Sequence, residues 1–273
     1  MAEGTIEDVL HGEATWCVAE GECVAAMAAI SGERRVDAVI TDPPYSEQVH
    51  KSVRSAKRSE MPDVKDFKCR TRRVVDLGFE HMTDDVRESV ADQVERLCKR
   101  WVAIFSDVES CHLWRGAFVD FDYIRTAEWR RIGGAPQFTG DRPASGFEAI
   151  TLMHPKGRKK WNGGGKAGSY EFPIVANRKG QQGSRLHPTQ KPVELMMALV
   201  ADFTDPGDIV LDPFCGSGST GEACLVLGRR FVGIERMPEH VETARQRLAA
   251  VDAMSTIQGA RAGQVPLFHG SAR

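Results

Sequence analysis

The sequence predicts an α/β fold built on a mostly parallel, doubly wound sheet with helices on both faces. Three observations carry this expectation. Apolar runs of strand length alternate with stretches of helical period from Val36 to Ala250. The stretch IVLDPFCGSGSTGEACLVLGRRFVGIE, from Ile209 to Glu235, reads as strand, glycine-rich turn, helix and second strand, the order of a βαβ unit. With 273 residues, 41% apolar and 27% charged, the chain is long enough for one large domain and a small insertion.

Taken in order, Val36–Thr41 is a strand that must stop at Asp42-Pro43-Pro44-Tyr45, because proline cannot donate to a sheet ladder. Thr83 or Asp84 caps a helix running to about Arg100, with Val86, Val90, Val94 and Leu97 on one face. Trp101–Ser106 and Phe147–Met153 are buried strands. Pro192 suits the first turn of a helix whose apolar face is Leu195, Met196, Leu199, Val200 and Phe203. Ile209–Asp212 is a strand, Ser217 or Ser219 opens a helix to Leu227, Arg230–Glu235 is a strand, and Pro238–Ala250 closes as a helix. There is no internal repeat.

Composition narrows the function. No stretch reaches the apolar length of a membrane span, and the acidic MAEGTIEDVLHGEATW start does not resemble a signal peptide. The seven cysteines are scattered without metal-ligand spacing, which suits reduced intracellular thiols, and no metal is expected. Net charge is −2 but uneven. Ser46–Arg73 carries nine Lys/Arg, among them Lys51, Arg54, Lys57 and Arg58, against four acids. Pro155–Arg185 carries eight, among them Lys156, Arg158, Lys159 and Lys160, against Glu171 alone. Such runs are often only solvated faces. Two of them on an acidic body suggest a polyanionic partner.

The glycine-rich turn allows a backbone to approach a ligand closely, and Glu235, 23 residues after Asp212, stands where a carboxylate can accept from ribose hydroxyls. A turn of this kind also fits a nicotinamide site. Against that, Thr220-Gly221 breaks the full G-x-G-x-x-G spacing, and Asp212 before the turn would face a pyrophosphate badly while suiting a cationic amine. An ammonium and a ribose without phosphate describe S-adenosylmethionine.

Asp42-Pro43-Pro44-Tyr45 resembles the catalytic motif of the DNA amino-methyltransferases, Asp212-Pro213-Phe214-Cys215-Gly216-Ser217-Gly218 resembles their cofactor motif, and HPTQKPVELM, His187 to Met196, is similar to the segment beside the cofactor's methionine end. The order, catalytic motif first, is the permuted order of the β class, and the matches span roughly residues 15 to 250. The resemblance implies a Rossmann-like methyltransferase fold, S-adenosylmethionine as cofactor, and transfer of its methyl group to an exocyclic amine in DNA. It implies that Asp42 and the Pro43 carbonyl accept from the target amine, and that Pro44 stiffens the turn. Tyr45 would stack on a base flipped out of the duplex. Pro213, Gly216, Gly218 and Glu235 would form the cofactor site with Asp212, and Phe214 would lie against the cofactor or be ordinary core. Glu22, where the family usually has Asp, would meet the cofactor adenine or be a surface acid. Thr189 and Lys191 would touch the methionine carboxylate, or Lys191 would be a solvated lysine. Cys215 is read as small packing.

An Asp before Pro-Pro leans towards adenine N6 in the family, and Ser towards cytosine N4. The alternatives are cytosine-N4 methylation, an RNA methyltransferase and a non-catalytic DNA-binding module. The expected organisation is a catalytic half at 1–154 with a basic loop at 46–76, a basic target-recognition insertion at 155–186, a cofactor half at 187–251 and a tail at 252–273. In the insertion, Trp161 and Tyr170 either stack on DNA or pin the loop. In the tail, Gln264, Leu267 and Phe268 resemble a sliding-clamp docking peptide, or fold back on the protein. A homodimer and a cytoplasmic, nucleoid-associated setting in a prokaryote or phage complete the expectation.

Overall fold

The computed structural model describes residues 3–45, 82–134, 143–175 and 190–260. Lys51, Arg54, Lys57 and Arg58, Thr189, and the tail residues Gln264, Leu267 and Phe268 lie outside the described residues.

The chain runs α1 (Ile6–His11), β1 (Trp16–Glu20), α2 (Cys23–Ala29), β2 (Val36–Thr41), α3 (Asp84–Leu97), β3 (Cys98–Ser106), α4 (Cys111–Ala117), β4 (Phe121–Ile132), β5 (Phe147–Pro155), β6 (Ser169–Pro173), α5 (Val193–Phe203), β7 (Ile209–Asp212), α6 (Ser219–Val226), β8 (Arg230–Glu235) and α7 (Pro238–Ala260). Among the described residues, eight strands form one sheet in the order β1-β8-β7-β2-β3-β5-β4-β6. β5 pairs antiparallel with both β3 and β4, and the other neighbours are parallel.

Strand periodicity divides the core in two. In β3, Trp101, Ala103 and Phe105 face one layer with Leu195, Leu199 and Phe203 of α5 and with Val241, Ala244 and Leu248 of α7. Val102 and Ile104 face the other layer, with Met27 of α2, Val90 and Val94 of α3 and Trp114 of α4. Helices thus cover both faces, as an alternating α/β pattern requires.

Local signals explain the boundaries. Thr83 caps α3 through its side chain, which accepts from the Val86 N–H. Val90, Val94 and Leu97 are buried, whereas Val86 is exposed. The helix stops at Leu97 rather than near Arg100 because Cys98 already pairs with Val36 in the sheet. At the other end, α7 continues to Ala260, so the tail boundary expected at 252 falls inside a helix. The segment expected as a separate insertion at 155–186 contains β6, which pairs with β4 and so belongs to the main sheet.

β7 and β2 are adjacent, and the chain leaves them in opposite directions, from β7 to β8 and from β2 to β3. In open α/β sheets, ligands bind in the crevice outside the carboxyl ends of the strands at such a reversal. β1, β8, β7 and β2 are parallel, so Glu20-Gly21-Glu22, Glu235, Asp212 and Asp42 all emerge at that edge. β5 runs the other way, which brings its beginning, not its end, to the same edge.

Candidate active site

Asp42 is placed at the end of β2 and is partly buried. Its Oδ2 accepts from the Lys191 ammonium at 2.5 Å. Its Oδ1 is shielded from solvent and has no hydrogen-bond partner among the described residues. A shielded acceptor without a donor is costly and is found where a ligand supplies one. The Tyr45 hydroxyl donates to Glu148 Oε2 at 2.6 Å, and Lys191 Nζ lies 3.1 Å from the same carboxylate oxygen and 3.1 Å from the Tyr45 hydroxyl. Arg131, near the end of β4, approaches Glu148 Oε1 at 3.3 Å. Lys191 also lies over the rings of Tyr45, Phe105 and Trp129.

The charges in this cluster shift one another. Burial raises the Asp42 carboxyl above its ordinary value; Lys191 opposes this and Glu148 adds to it. Burial also pushes Glu148 up, but Lys191, the Tyr45 hydroxyl and Arg131 outweigh it and leave Glu148 below its usual range. Burial pushes the Lys191 ammonium down, while Asp42 and Glu148 outweigh it and hold the charge in place.

The glycine-rich turn lies next to this cluster. Asp212 is 2% exposed. Its Oδ1 accepts from the Thr41 hydroxyl at 2.7 Å and the Phe214 N–H at 3.1 Å, and its Oδ2 from the Thr220 hydroxyl at 2.6 Å. Burial raises its carboxyl to about 6 against those three bonds. The carboxylate expected to meet a ligand's ammonium is therefore turned inward, where it ties β7, the turn and the end of β2 together. Glu235 ends β8, with Oε2 accepting from the Gly216 N–H at 3.0 Å and Oε1 from the Met237 N–H at 2.8 Å. Each oxygen keeps acceptor capacity beyond these bonds. Glu22 caps α2 by accepting from the Ala25 N–H at 3.0 Å, and neighbouring Gly21 donates to the Glu235 carbonyl at 2.9 Å. Pro213 and Phe214 follow β7, and Phe214 is half-buried against the helix α2 side of the core.

Two glycines of the turn have left-handed backbones with different surroundings. At Gly218, φ is +82°, and a Cβ would lie 3.1 Å from the Ala244 Cβ of α7, so this position lets helix and turn pack closely. At Gly216, φ is +51°, and a Cβ would meet nothing within 4 Å. The turn thus has one packed side and one open side, and the open side fits a ligand that approaches the backbone. Cys215 is 5% exposed, and burial holds its thiol well above the ordinary value, which removes it as a nucleophile.

The residues expected to meet DNA divide. Lys156 and Arg158 are exposed. Lys159 pairs with Asp122 at 3.4 Å and Lys160 with Asp205 at 2.5 Å. Trp161 packs on Phe203, with ring centroids 5.2 Å apart, and its Nε1 donates to the Gly164 carbonyl at 2.7 Å. Tyr170 is 4% exposed and donates to Asp202. Trp161 thus pins the loop on Phe203, whereas Tyr170 is a buried residue of β6 in the main sheet. Lys191, placed by resemblance at the cofactor's methionine end, is bonded to Asp42. Glu148 and Arg131 were not anticipated; their only sequence signal is a charge within an otherwise strand-like run.

The sequence model of the N6/N4 DNA methylase family matches residues 36–246. The chain belongs to this family of S-adenosylmethionine-dependent DNA amino-methyltransferases. Among its relatives, the type II methyltransferase M.HinfI of Haemophilus influenzae is 23% identical over 92% of this chain and 72% of its own length. The putative methylase YubD of Escherichia coli K12 is 29% identical over 85% and 89%. Among solved structures, the M1.HpyAVI–SAM complex superposes with a TM-score of 0.59 at 23% identity, covering 85% of this chain and 98% of that one. The cytosine-N4-specific PvuII DNA methyltransferase superposes with a TM-score of 0.63 at 14% identity, covering 90% and 92%. These superpositions share the Rossmann-like fold with the present sheet. Among the described residues, no helix is long and apolar enough to cross a membrane, and no group of His, Cys, Asp or Glu could hold a metal ion.

Proposed function

We propose that this DNA methyltransferase acts on the N6 amine of adenine, with the target base flipped out of the duplex. The observation that carries the site assignment is Asp42 Oδ1, a shielded acceptor without a donor among the described residues, on a strand end that Thr41 and Asp212 join to the glycine turn. The exocyclic amine of a base is a poor nucleophile because its lone pair is delocalised into the ring. Asp42 Oδ1 accepts one N–H and the Pro43 carbonyl the other, which favours a more tetrahedral nitrogen. Positioning and electrostatics account for most of the acceleration. The Pro43-Pro44 unit fixes the carbonyl direction, and the Tyr45 ring flanks the base. When bound, S-adenosylmethionine supplies an electrophilic methyl group. Glu235 would hold its ribose, the open side of Gly216 would admit it, and Phe214, Pro213 and Glu22 would line the remainder, with Gly218 packed behind the turn against Ala244 and Thr189, by resemblance, assigned to the methionine end. Asp212 shapes the turn from behind. No covalent enzyme intermediate is needed.

The choice of adenine rests on the Asp before Pro-Pro. Cytosine N4 is the second reading, because both amines present the same two N–H donors and the PvuII enzyme, which has this fold, is cytosine-N4-specific. DNA is gripped by Lys156 and Arg158 together with the basic run Ser46–Arg73. The test is labelled-methyl transfer from S-adenosylmethionine to unmethylated genomic DNA, followed by nucleoside analysis. N6-methyladenine is the expected product; N4-methylcytosine would replace the adenine reading, and label in RNA alone would overturn the DNA substrate.

A further inference from the structure

Glu148 and Lys191 come from distant parts of the chain, and the proposed chemistry gives neither a role. Asp42 sits on a turn after the last sheet residue, where nothing in β2 itself fixes its side chain. Lys191 supplies the fixing contact at Oδ2, and Lys191 is in turn held by Glu148, whose other oxygen meets Arg131. The Glu148 carboxylate also receives the Tyr45 hydroxyl. One carboxylate on β5 therefore reaches both ends of Asp42-Pro43-Pro44-Tyr45, one directly and one through an ammonium.

We infer that Glu148 and Lys191 are a positioning pair for methyl transfer: together they tether Asp42 by one oxygen, leave its other oxygen to accept the target amine, and hold the Tyr45 ring by its hydroxyl. The inference rests on the reading of Asp42 as the amine acceptor. Three features support it. Lys191 is 7% exposed and ringed by Tyr45, Phe105 and Trp129, so its charge is stable there only with its carboxylate partners. Among the described residues the cluster is balanced, with Asp42 and Glu148 against Lys191 and Arg131. And its location follows from topology: β5 is antiparallel to its neighbours, which brings Glu148, near the beginning of β5, to the carboxyl ends of the other strands.

The pair acts on Asp42 with opposite signs. Lys191 stabilises the Asp42 carboxylate and Glu148 destabilises it. Among the described residues, the other groups facing the site are Tyr45, Arg131 and, at the end of β7, Asp212. The experiment is the pH profile of kcat for the full chain, using unmethylated genomic DNA and labelled S-adenosylmethionine. Cofactor binding and melting temperature are measured alongside. Lys191→Met should lower kcat at pH 7 at least tenfold and move the acid limb to higher pH, because Asp42 is deprived of its cation. Glu148→Gln keeps an acceptor for Tyr45 and should move the limb to lower pH, because a neighbouring anion is removed from Asp42. Lys191→Arg should restore the limb towards wild type. Cofactor affinity should stay within threefold throughout. Limbs that stay put, or move the same way in both variants, would overturn the inference. So would a tenfold loss of cofactor affinity in Lys191→Met with an unmoved limb, which would make Lys191 a cofactor ligand. If Lys191→Met does not fold, Lys191→Arg and Glu148→Gln still decide, by kcat and by limb. Asp42→Ala separates the levels: an active variant removes the amine-acceptor reading itself, whereas an inactive one with unmoved limbs in the other variants removes only the positioning pair.

Discussion

The Thr41 hydroxyl donates to Asp212 Oδ1 at 2.7 Å, joining two residues 171 positions apart. Thr41 is the last residue of β2, just before Asp42, and Asp212 is the last of β7, just before the glycine turn. The turn that would receive the cofactor and the turn that would receive the base are thus bonded to each other behind the site through Asp212 Oδ1, while Oδ2 ties the start of α6 to β7.

Asp42→Ala should abolish methyl transfer while leaving S-adenosylmethionine binding within a few fold. In the proposed chemistry Asp42 accepts from the target amine and makes no bond to the cofactor. Labelled-methyl transfer and calorimetry on the same sample check both halves; near-normal turnover would sink the proposed chemistry.

Asp212 should show in the pH dependence of stability. Its carboxyl is raised to about 6 in the fold by burial, above the ordinary value of 3.8. The folded state then binds the proton more tightly than the unfolded state. The resulting contribution is present at low pH and disappears as pH rises through about 6, by up to about 3 kcal/mol. Asp212→Asn removes this titration. Urea unfolding of both proteins should show the wild type gaining stability relative to the variant between pH 7 and pH 4. A constant difference would contradict the inward placement.

Glu235→Ala should weaken S-adenosylmethionine binding by about 1.5–3 kcal/mol, the loss of a hydrogen bond to a charged group. Asp212→Asn, whose side chain faces inward, should weaken it less. Calorimetry giving the reverse order would mean that Asp212 turns outward when the cofactor binds.

The two turn glycines should behave differently. Gly218→Ala places a Cβ 3.1 Å from Ala244 on a left-handed backbone, and should lower stability by more than about 1 kcal/mol. Gly216→Ala meets no neighbour and should cost about 1 kcal/mol from backbone strain alone, while reducing cofactor affinity tenfold or more. Melting temperature and calorimetry together separate these outcomes; unchanged affinity in Gly216→Ala would place the ligand elsewhere.

Neutralising Lys156 and Arg158 should weaken DNA binding and reduce the slope of log K against log salt by roughly 0.9 for each phosphate that is no longer neutralised. Neutralising Lys159 and Lys160, which are engaged by Asp122 and Asp205, should change the slope less. Equal slopes for all four would mean that the internal pairs open on DNA.

Most of the parallel half of the fold was readable because its strands are buried on both faces and bounded by turns. β2, β7, β8 and α5 match their expected bounds closely, since each is a dense apolar run. β4 was not expected, although it is a twelve-residue strand. It lies near the sheet's edge, with only Phe121, Ala127 and Trp129 buried among polar residues, so its alternation is weak. The short β1, at the opposite edge, also escaped; Trp16, Cys17 and Val18 are buried, but the strand is only five residues long. In the site, local motifs marked Asp42, Tyr45 and the glycine turn. Glu148 had no such signal: its partners Tyr45 and Lys191 lie far off in the chain, and only the reversed direction of β5 brings it to them.

The way the second basic run is mounted bears on how fast and how accurately DNA can be engaged. Trp161 is seated on Phe203, Asn162 donates to the Ala201 and Thr204 carbonyls and to Asp205, and the Trp101 indole donates to the Lys160 carbonyl. The loop behind Lys156 and Arg158 is therefore bolted to the end of α5 and to β3. Charges on a slack tether would have to be immobilised at each encounter, at a cost of about 0.5–1.5 kcal/mol per side chain. Here the adjoining backbone is already anchored before any duplex arrives, and the two exposed side chains are what remains to be ordered. In the proposed complex the two cations would project from a backbone held in place relative to the base pocket, which favours one register of the phosphate backbone over its neighbours.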